Sequence, residues 1–440
     1  MSDGGNAAQT SGEQSVAPAP APRARLEIRR ATLANGIAIV GRENHTHPSV
    51  VLRLCLRAGA TLDAPERAGL ATLTASGLTR GTRRRSFAEI NETVDGAGMG
   101  LSANAGRHLA SVHVRCLRED LDLAIDLLAD VTRHPVFPEP EIAQLRAQVL
   151  TGLRQADDDT GAVADRHFRE RLYSAGHPYR LRTHGYQETV ATLRPDDLAT
   201  FHAQAYGPQD AFCVVVGDVD FPQIIAKLDS ALGDWQGATG TAAPVDAAPL
   251  PEPGQHEVVV AGKTQSDLVL GRPAIRRSDP DYHALRMGNL IFGRLGMMGR
   301  LGDTVREAQG LAYSVYSELD ANLGPGPWAV RAGVNPANVD AALAGIRDEL
   351  HRLRDGGVTA DELLRGQRYS TGTLVLQLET NDGVAGVIQD IELFDLGLDY
   401  VERYPQLITA LTLEDVNAAA ARHLPAFEDT VRVIAGPARR

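Results

Sequence analysis

Three cysteines in 440 residues leave little material for disulfide or thiolate-metal chemistry. Cys55, Cys116 and Cys213 each sit in an apolar, strand-like run, and their wide, irregular separation matches no zinc knuckle or redox pair. They are predicted to be buried free thiols in a reducing compartment. No apolar run approaches the length that spans a bilayer. The first two dozen residues have no basic start and no apolar core, so they do not read as a secretory signal. They also hold almost no large apolar side chain and cannot offset the entropy of ordering, so residues 1–25 are expected to be a disordered tail. These absences together predict a soluble, cytoplasmic protein. Positive charge is in deficit as well. A net charge of −12 argues against nucleic acid or an anionic membrane as a partner.

Familiar catalytic signatures are missing too. There is no GxSxG and hence no nucleophile elbow. AGKT (residues 261–264) has the tail of a phosphate-binding loop, but Glu257 stands where the leading glycine must be. GAGMG (96–100) lacks the spacing of a dinucleotide turn and reads as a loop before a strand. Among thirteen histidines, His45 and His47 lie two apart, and His108 and His113 five apart. Neither pair has the i, i+4 spacing that puts two imidazoles on one helical face.

Apolar residues make up 43% of the chain, enough for two cores of about 200 residues each. Order is expected to begin near Leu26, with two strands around the hairpin signal Asn35-Gly36 and a third strand over 50–60. Helices are predicted from Arg67, over 87–94 and 118–132, and as one long polar helix over 141–175. An Ala/Pro/Gly-rich stretch, 237–255, reads as a linker between domains 26–236 and 256–440. The two sides of it echo each other. LRPDDLATFHAQAYGPQDAFCVVVGDV (193–219) and LTLEDVNAAAARHLPAFEDTVRVIAGP (411–437) both run from an acidic helix start through an amphipathic helix to an apolar strand ending in glycine. That placement favours a duplicated domain. Hairpins mixed with long helices, without regular βαβ alternation, predict an α+β fold of two homologous domains, each a largely antiparallel sheet packed with helices.

RAGATLDAPERAGLATLTASGLTRGT (57–82) resembles the active-site region of the pitrilysin/insulinase family of zinc metallopeptidases. Active members carry GLAHxxEHxxxxGT there, two histidines on one helical face with a glutamate as general base. This chain aligns without a gap as GLATLTASGLTRGT: Thr72 and Ser76 stand at the histidine positions and Ala75 at the glutamate. The third ligand, a glutamate on a later helix, aligns with Gly152 in QVLTGLRQADDD (148–159). The resemblance therefore implies a zinc site with every ligand lost, no metal and no cofactor. A lone hydroxyl is a poor zinc donor, and an alanine cannot take a proton from water.

The resemblance extends from about Leu26 to Pro437, and HPYRLRTHGYQETVATLRPDDLATFHAQAYGPQDAFCVVVGDVD (177–220) looks like the usual end of the family's first domain. LGMMGRLGDTVREAQGLAYSVYSELD (295–320) is close to the hallmark GxxSRLxxxVREKxGLAYSVYS. It places Arg306 and Tyr313 on an Arg/Tyr pair that active members direct at the substrate carbonyl, where both can donate to the oxyanion of the transition state. Residue type alone also accommodates Arg306 as a helix-surface charge and Tyr313 as a strand core residue.

By resemblance, the expected role is the silent subunit of a heterodimeric peptidase. A zinc-bearing partner would supply the water, while this chain would supply chamber walls and the Arg306/Tyr313 contacts to an unfolded peptide added as a strand. GRLGMMGRL (293–301) lies where the silent mitochondrial processing subunit has a glycine-rich substrate loop, but is shorter and poorer in glycine. The competing expectation is a non-enzymatic scaffold or peptide-binding homodimer, as in the family's respiratory-complex core subunits.

Overall fold

The computed structural model describes residues 26–238 and 244–439. The expected tail, 1–25, and the middle of the expected linker lie outside the described residues. The first half contributes β1 (Arg29–Thr32), β2 (Ala38–Glu43), β3 (Ser49–Leu56), α1 (Leu70–Gly77), α2 (Phe87–Gly96), β4 (Gly100–Ala105) and β5 (Ala110–Leu117). It continues with α3 (Leu121–Arg133), α4 (Glu139–Asp158), α5 (Thr160–Leu172), α6 (Gln187–Thr192), α7 (Pro195–Ala205), β6 (Phe212–Gly217) and α8 (Phe221–Leu232). The second half contributes β7 (Gly254–Val259), β8 (Ser266–Pro273), α9 (Tyr282–Gly293), α10 (Leu295–Leu301), β9 (Ala312–Leu319), β10 (Pro327–Val334) and α11 (Val339–Gly356). It closes with α12 (Ala360–Gln377), α13 (Asn381–Leu393), α14 (Tyr400–Thr409), α15 (Leu413–His423) and β11 (Val431–Gly436).

The sheets repeat one topology. The first has the order β1-β2-β6-β3-β5-β4 and the second β7-β11-β8-β10-β9. With β1 set aside, the orders superpose strand for strand. In each, one pair is parallel, β2 with β6 and β7 with β11, and every other pair is antiparallel. The echoing segments 193–219 and 411–437 are α7–β6 and α15–β11, at equivalent places in the two sheets. The three cysteines are free and buried in β3, β5 and β6, and burial pushes the Cys116 and Cys213 thiols up to about 12. None of the helices in the described residues is long and apolar enough to cross a membrane.

One expectation needs correcting. The long helix predicted over 141–175 is two helices, because Asp159 leaves helical geometry (φ −89°, ψ 119°) and caps α5, its carboxylate accepting from the Ala162 N–H. An Asp side chain competes for backbone donors in this way and so favours a helix start over a helix interior.

The break has a large consequence, since α5 turns away from its own half. Val163, Ala164, Phe168 and Leu172 share a core with Val269 of β8 and Val431, Val433 and Ala435 of β11. Reciprocally, α13 of the second half places Val384, Ala385 and Ile388 in one core with Val40, Val51, Val214 and Val216 of the first sheet. Each fully buried large apolar side chain contributes roughly 1.5–3 kcal/mol, so the two crossings fasten the halves together. Polar contacts follow the same path: Arg331 to Asp165 at 2.6 Å, Arg30 to Glu392 at 2.9 Å, and the Asn44 amide donating to Asn381 at 2.7 Å.

Candidate functional site

The helix carrying Thr72, Ala75 and Ser76 is held by a buried carboxylate. Asp63 accepts from the N–H groups of Gly69 (2.8 Å) and Ala71 (2.9 Å), satisfying donors that a helix start leaves orphaned. Burial pushes Asp63 up to about 7 in spite of these donors. Gly69 sits at φ 96°, and a Cβ there would lie 2.8 Å from the His184 carbonyl oxygen. A glycine is what lets the 182–185 loop close on the helix start.

On α1, Thr72 is buried and donates its hydroxyl proton to the Thr183 carbonyl at 2.6 Å. Ala75 is completely buried and Ser76 half-buried. Gly152 lies on α4, exposed, with open space where a Cβ would be. These four positions do not fit a zinc ion. One lacks a side chain, one offers only a methyl group, and Thr72 and Ser76 bring only neutral hydroxyls where zinc takes imidazole, thiolate or carboxylate. Among the described residues, one group of three side chains is close enough to share a metal: Asp279, Asp281 and His423. It lies in the other half, and Asp281 already pairs with Arg422 at 2.5 Å and His423 at 2.7 Å.

Gly152 and Thr183 both line one cleft of about 560 Å³. Its walls come from α4 (Val149, Leu153, Ala156) and α5 (Ala162, Asp165, Arg166, Arg169), with Arg107 from the β4–β5 turn and Arg182 and His184 from the loop. The sequence reading missed these arginines, although their 166/169 spacing on one helix was a visible signal. Burial would push Asp165 up, but Arg169 and Arg331 hold it below the usual carboxylate range. Burial, and then the nearby Arg169, lowers Arg107; burial and Arg182 lower His184. Arg306 and Tyr313 are not among the residues lining this cleft.

That pair lies on a differently built segment of the second half. After α9 the chain passes through positive φ at Gly296, Met298 and Gly299, and a Cβ on Gly299 would lie 2.5 Å from the Ile291 carbonyl oxygen. A π-helical turn follows over 302–308, with the Gln309 N–H reaching back to the Thr304 carbonyl. Such turns are uncommon and concentrate where side chains must be re-aimed. Arg306, half-buried, rests its Nη1 2.7 Å from the Met297 sulfur and 3.2 Å from Glu307. Tyr313 is not a core residue. In the β9–β10 ladder, Ser314 faces Gly333 and Ala312 faces Val334, so Tyr313 is the extra residue of a bulge. A bulge redirects its side chain, and Tyr313 stands 71% exposed on the edge strand of the second sheet.

Comparison with known proteins agrees with this architecture. The family model of the insulinase peptidases (family M16) matches residues 38–182, and that of the M16 peptidase inactive domain matches residues 192–369. An uncharacterised zinc protease of Streptomyces coelicolor is 29% identical over 405 residues, covering 89% of this chain and 86% of its own. A non-peptidase homologue of Helicobacter pylori is 21% identical over 403 residues, covering 90% and 91%. The crystal structure of a peptidase M16 inactive domain from Pseudomonas fluorescens superposes with a TM-score of 0.87 at 28% identity, covering 94% of this chain and 99% of that one.

Proposed function

The chain belongs to the insulinase (M16) family of peptidases, as an inactive-type homologue, and from that premise we propose that it serves as the zinc-less subunit of a heterodimeric peptidase. The observation that carries this reading is the contrast between two sets of family positions. Thr72, Ala75, Ser76 and Gly152 offer a metal no imidazole, thiolate or carboxylate, whereas the phenol of Tyr313 projects into solvent from a bulge and Arg306 is half-buried seven residues earlier.

In this assembly a zinc-bearing family member supplies the hydrolytic water. A peptide pairs along a sheet edge, and β9 is an edge strand; to pair there the peptide displaces the Met298 sulfur from the Val315 N–H (3.4 Å) and Arg294 from the Ser317 carbonyl (3.1 Å). The guanidinium of Arg306 and the phenol of Tyr313 donate hydrogen bonds to the carbonyl oxygen as it becomes an oxyanion. To do so Arg306 leaves its contacts with Met297 and Glu307, an exchange of a surface ion pair worth at most about 1 kcal/mol.

The test is hydrolysis of a quenched peptide by the chain alone, by a zinc-bearing family member alone, and by the mixture. Activity that requires the mixture and falls with Arg306→Ala or Tyr313→Phe supports the reading. Chelator-sensitive hydrolysis by this chain alone would overturn it. An inert mixture together with a stable homodimer would point instead to a scaffold or peptide-binding homodimer.

A further inference from the structure

The arginine-walled cleft on the first half has donors that the protein itself does not use. We propose that this cleft is a carboxylate-recognition site that takes an acidic side chain or the free C-terminus of a bound peptide, with Arg107 and Arg169 as its principal donors. The inference extends the peptide-binding role above by naming the class of peptide, but it concerns this chain alone and is tested without a partner.

The charge inventory is unbalanced in one direction. Four guanidinium groups line the cleft against a single lining carboxylate, Asp165. That carboxylate is occupied: one oxygen holds Arg331 at 2.6 Å and the other Arg169 at 3.4 Å. Arg166 and Arg182 share one oxygen of Asp157, at 2.9 and 3.2 Å. Among the described residues, Arg107 has no ion-pair partner. Its contacts are the Leu181 carbonyl at 3.4 Å and the Tyr179 ring at 5.1 Å.

Donors also remain unspent. Arg169 places Nε on Asp165 and Nη2 on Asp320, while its Nη1, on a side chain only 14% exposed, is buried without a partner among the described residues. Arg166 Nε is likewise buried and unpartnered among the described residues. A buried N–H without an acceptor costs roughly 1–3 kcal/mol, a cost that a ligand carboxylate removes. Arg107 is lowered by burial and by Arg169, and the nearby Asp320 offsets only part of this repulsion between the two cations. An anion between them converts that repulsion into two charge-assisted bonds.

Shape and context favour a peptide carboxylate. A volume of about 560 Å³ accommodates a few side chains, and Val149, Leu153, Ala156 and Ala162 offer an apolar wall to their methylenes. The cleft is a local inversion of charge on a chain carrying −12 overall, so anions are drawn to this place and repelled elsewhere. Gly152 at the rim leaves open the space that any side chain would occupy.

Calorimetric titration of the full chain with three peptides tests the proposal: acetyl-Ala-Glu-Glu-Ala-amide, its Gln-Gln isostere, and the isostere with a free C-terminus. Either carboxylate-bearing peptide is expected to bind at least about tenfold tighter than the neutral one, and the one that does identifies the source. Raising salt should weaken that binding and leave the neutral peptide unaffected. Arg107→Gln should abolish the preference. Gly152→Glu, which gains helix propensity and places a tethered carboxylate at the rim, should abolish it as well, while Gly152→Gln should retain it. Equal binding of all three peptides by the wild-type chain, or a preference that survives Gly152→Glu, would overturn the proposal. A preference found alongside an inactive heterodimer would leave the cleft assignment standing by itself.

Discussion

The two halves share a strand order but treat equivalent regions in opposite ways. After its first long strand, the N-terminal half packs α1 so completely that six consecutive residues from Leu70 to Ala75 are buried, and the Thr72 hydroxyl is tied to Thr183. At the corresponding place the C-terminal half interrupts its helix with three positive-φ residues, adds a π-helical turn, and ends in a bulge that throws Tyr313 outward. One copy of the repeated topology packs this region shut. The other leaves it irregular and accessible. Irregular backbone costs stability, and it persists where surrounding structure and function hold it in place.

The comparison presumes that the halves are one mechanical unit, and breaking that unit gives the largest effect. Phe168→Ala on α5, or Ile388→Ala on α13, should cost about 3–5 and 2–5 kcal/mol respectively. Calorimetry should show a single transition moving down, since each side chain lies in a core shared by both halves. Two separate transitions would mean that the crossings do not couple the halves.

Next in size is the chemical asymmetry. With a zinc-bearing partner, Arg306→Ala or Tyr313→Phe should reduce kcat by about 10²–10³, the usual effect of removing an oxyanion donor. A change confined to KM would reassign the pair to ground-state binding. Thr72→Val sharpens the contrast from the other side. It removes a buried hydrogen bond and should cost about 1 kcal/mol of stability while leaving activity in the mixture unchanged.

The last comparison concerns acid, and its effect is nil at neutral pH. Burial holds His108 in the first half and His283 in the second at about 4, below their ordinary 6.5. Their contribution to stability is complete above pH 6.5 and is lost as the pH falls from there through 4, because the unfolded chain takes up the protons first. His108→Gln and His283→Gln should each make the acid limb of a denaturation profile shallower by one proton, and the double variant by two. Unequal slopes would show that the halves differ here as well.

Much of this was legible beforehand, for identifiable reasons. The α7–β6 and α15–β11 segments carry their pattern in contiguous residues, and hairpins such as the one at Gly36 announce themselves through turn chemistry. The exchange of α5 and α13 was not legible, because an apolar helix face says that it will be buried but not against which sheet. Asp159 was in plain view as part of an acidic run, and its capping role hid the break that makes the exchange possible. Tyr313 in a strand of period two reads as inward-facing, and a bulge of one residue reverses that. The arginine cleft joins Arg107, Arg166 and Arg182 from three separate elements, and only the tertiary fold assembles it.

The reciprocal crossing also sets a timetable for synthesis. When β6 leaves the ribosome, the first sheet is complete, but the helix that covers Val40, Val51, Val214 and Val216 lies some 170 residues further along. At ordinary elongation rates that apolar face stays uncovered for roughly ten to thirty seconds. The nascent N-terminal half is thus a natural client for a holding chaperone, and a gene cut between the halves would yield two fragments that reach the native state only in each other's company.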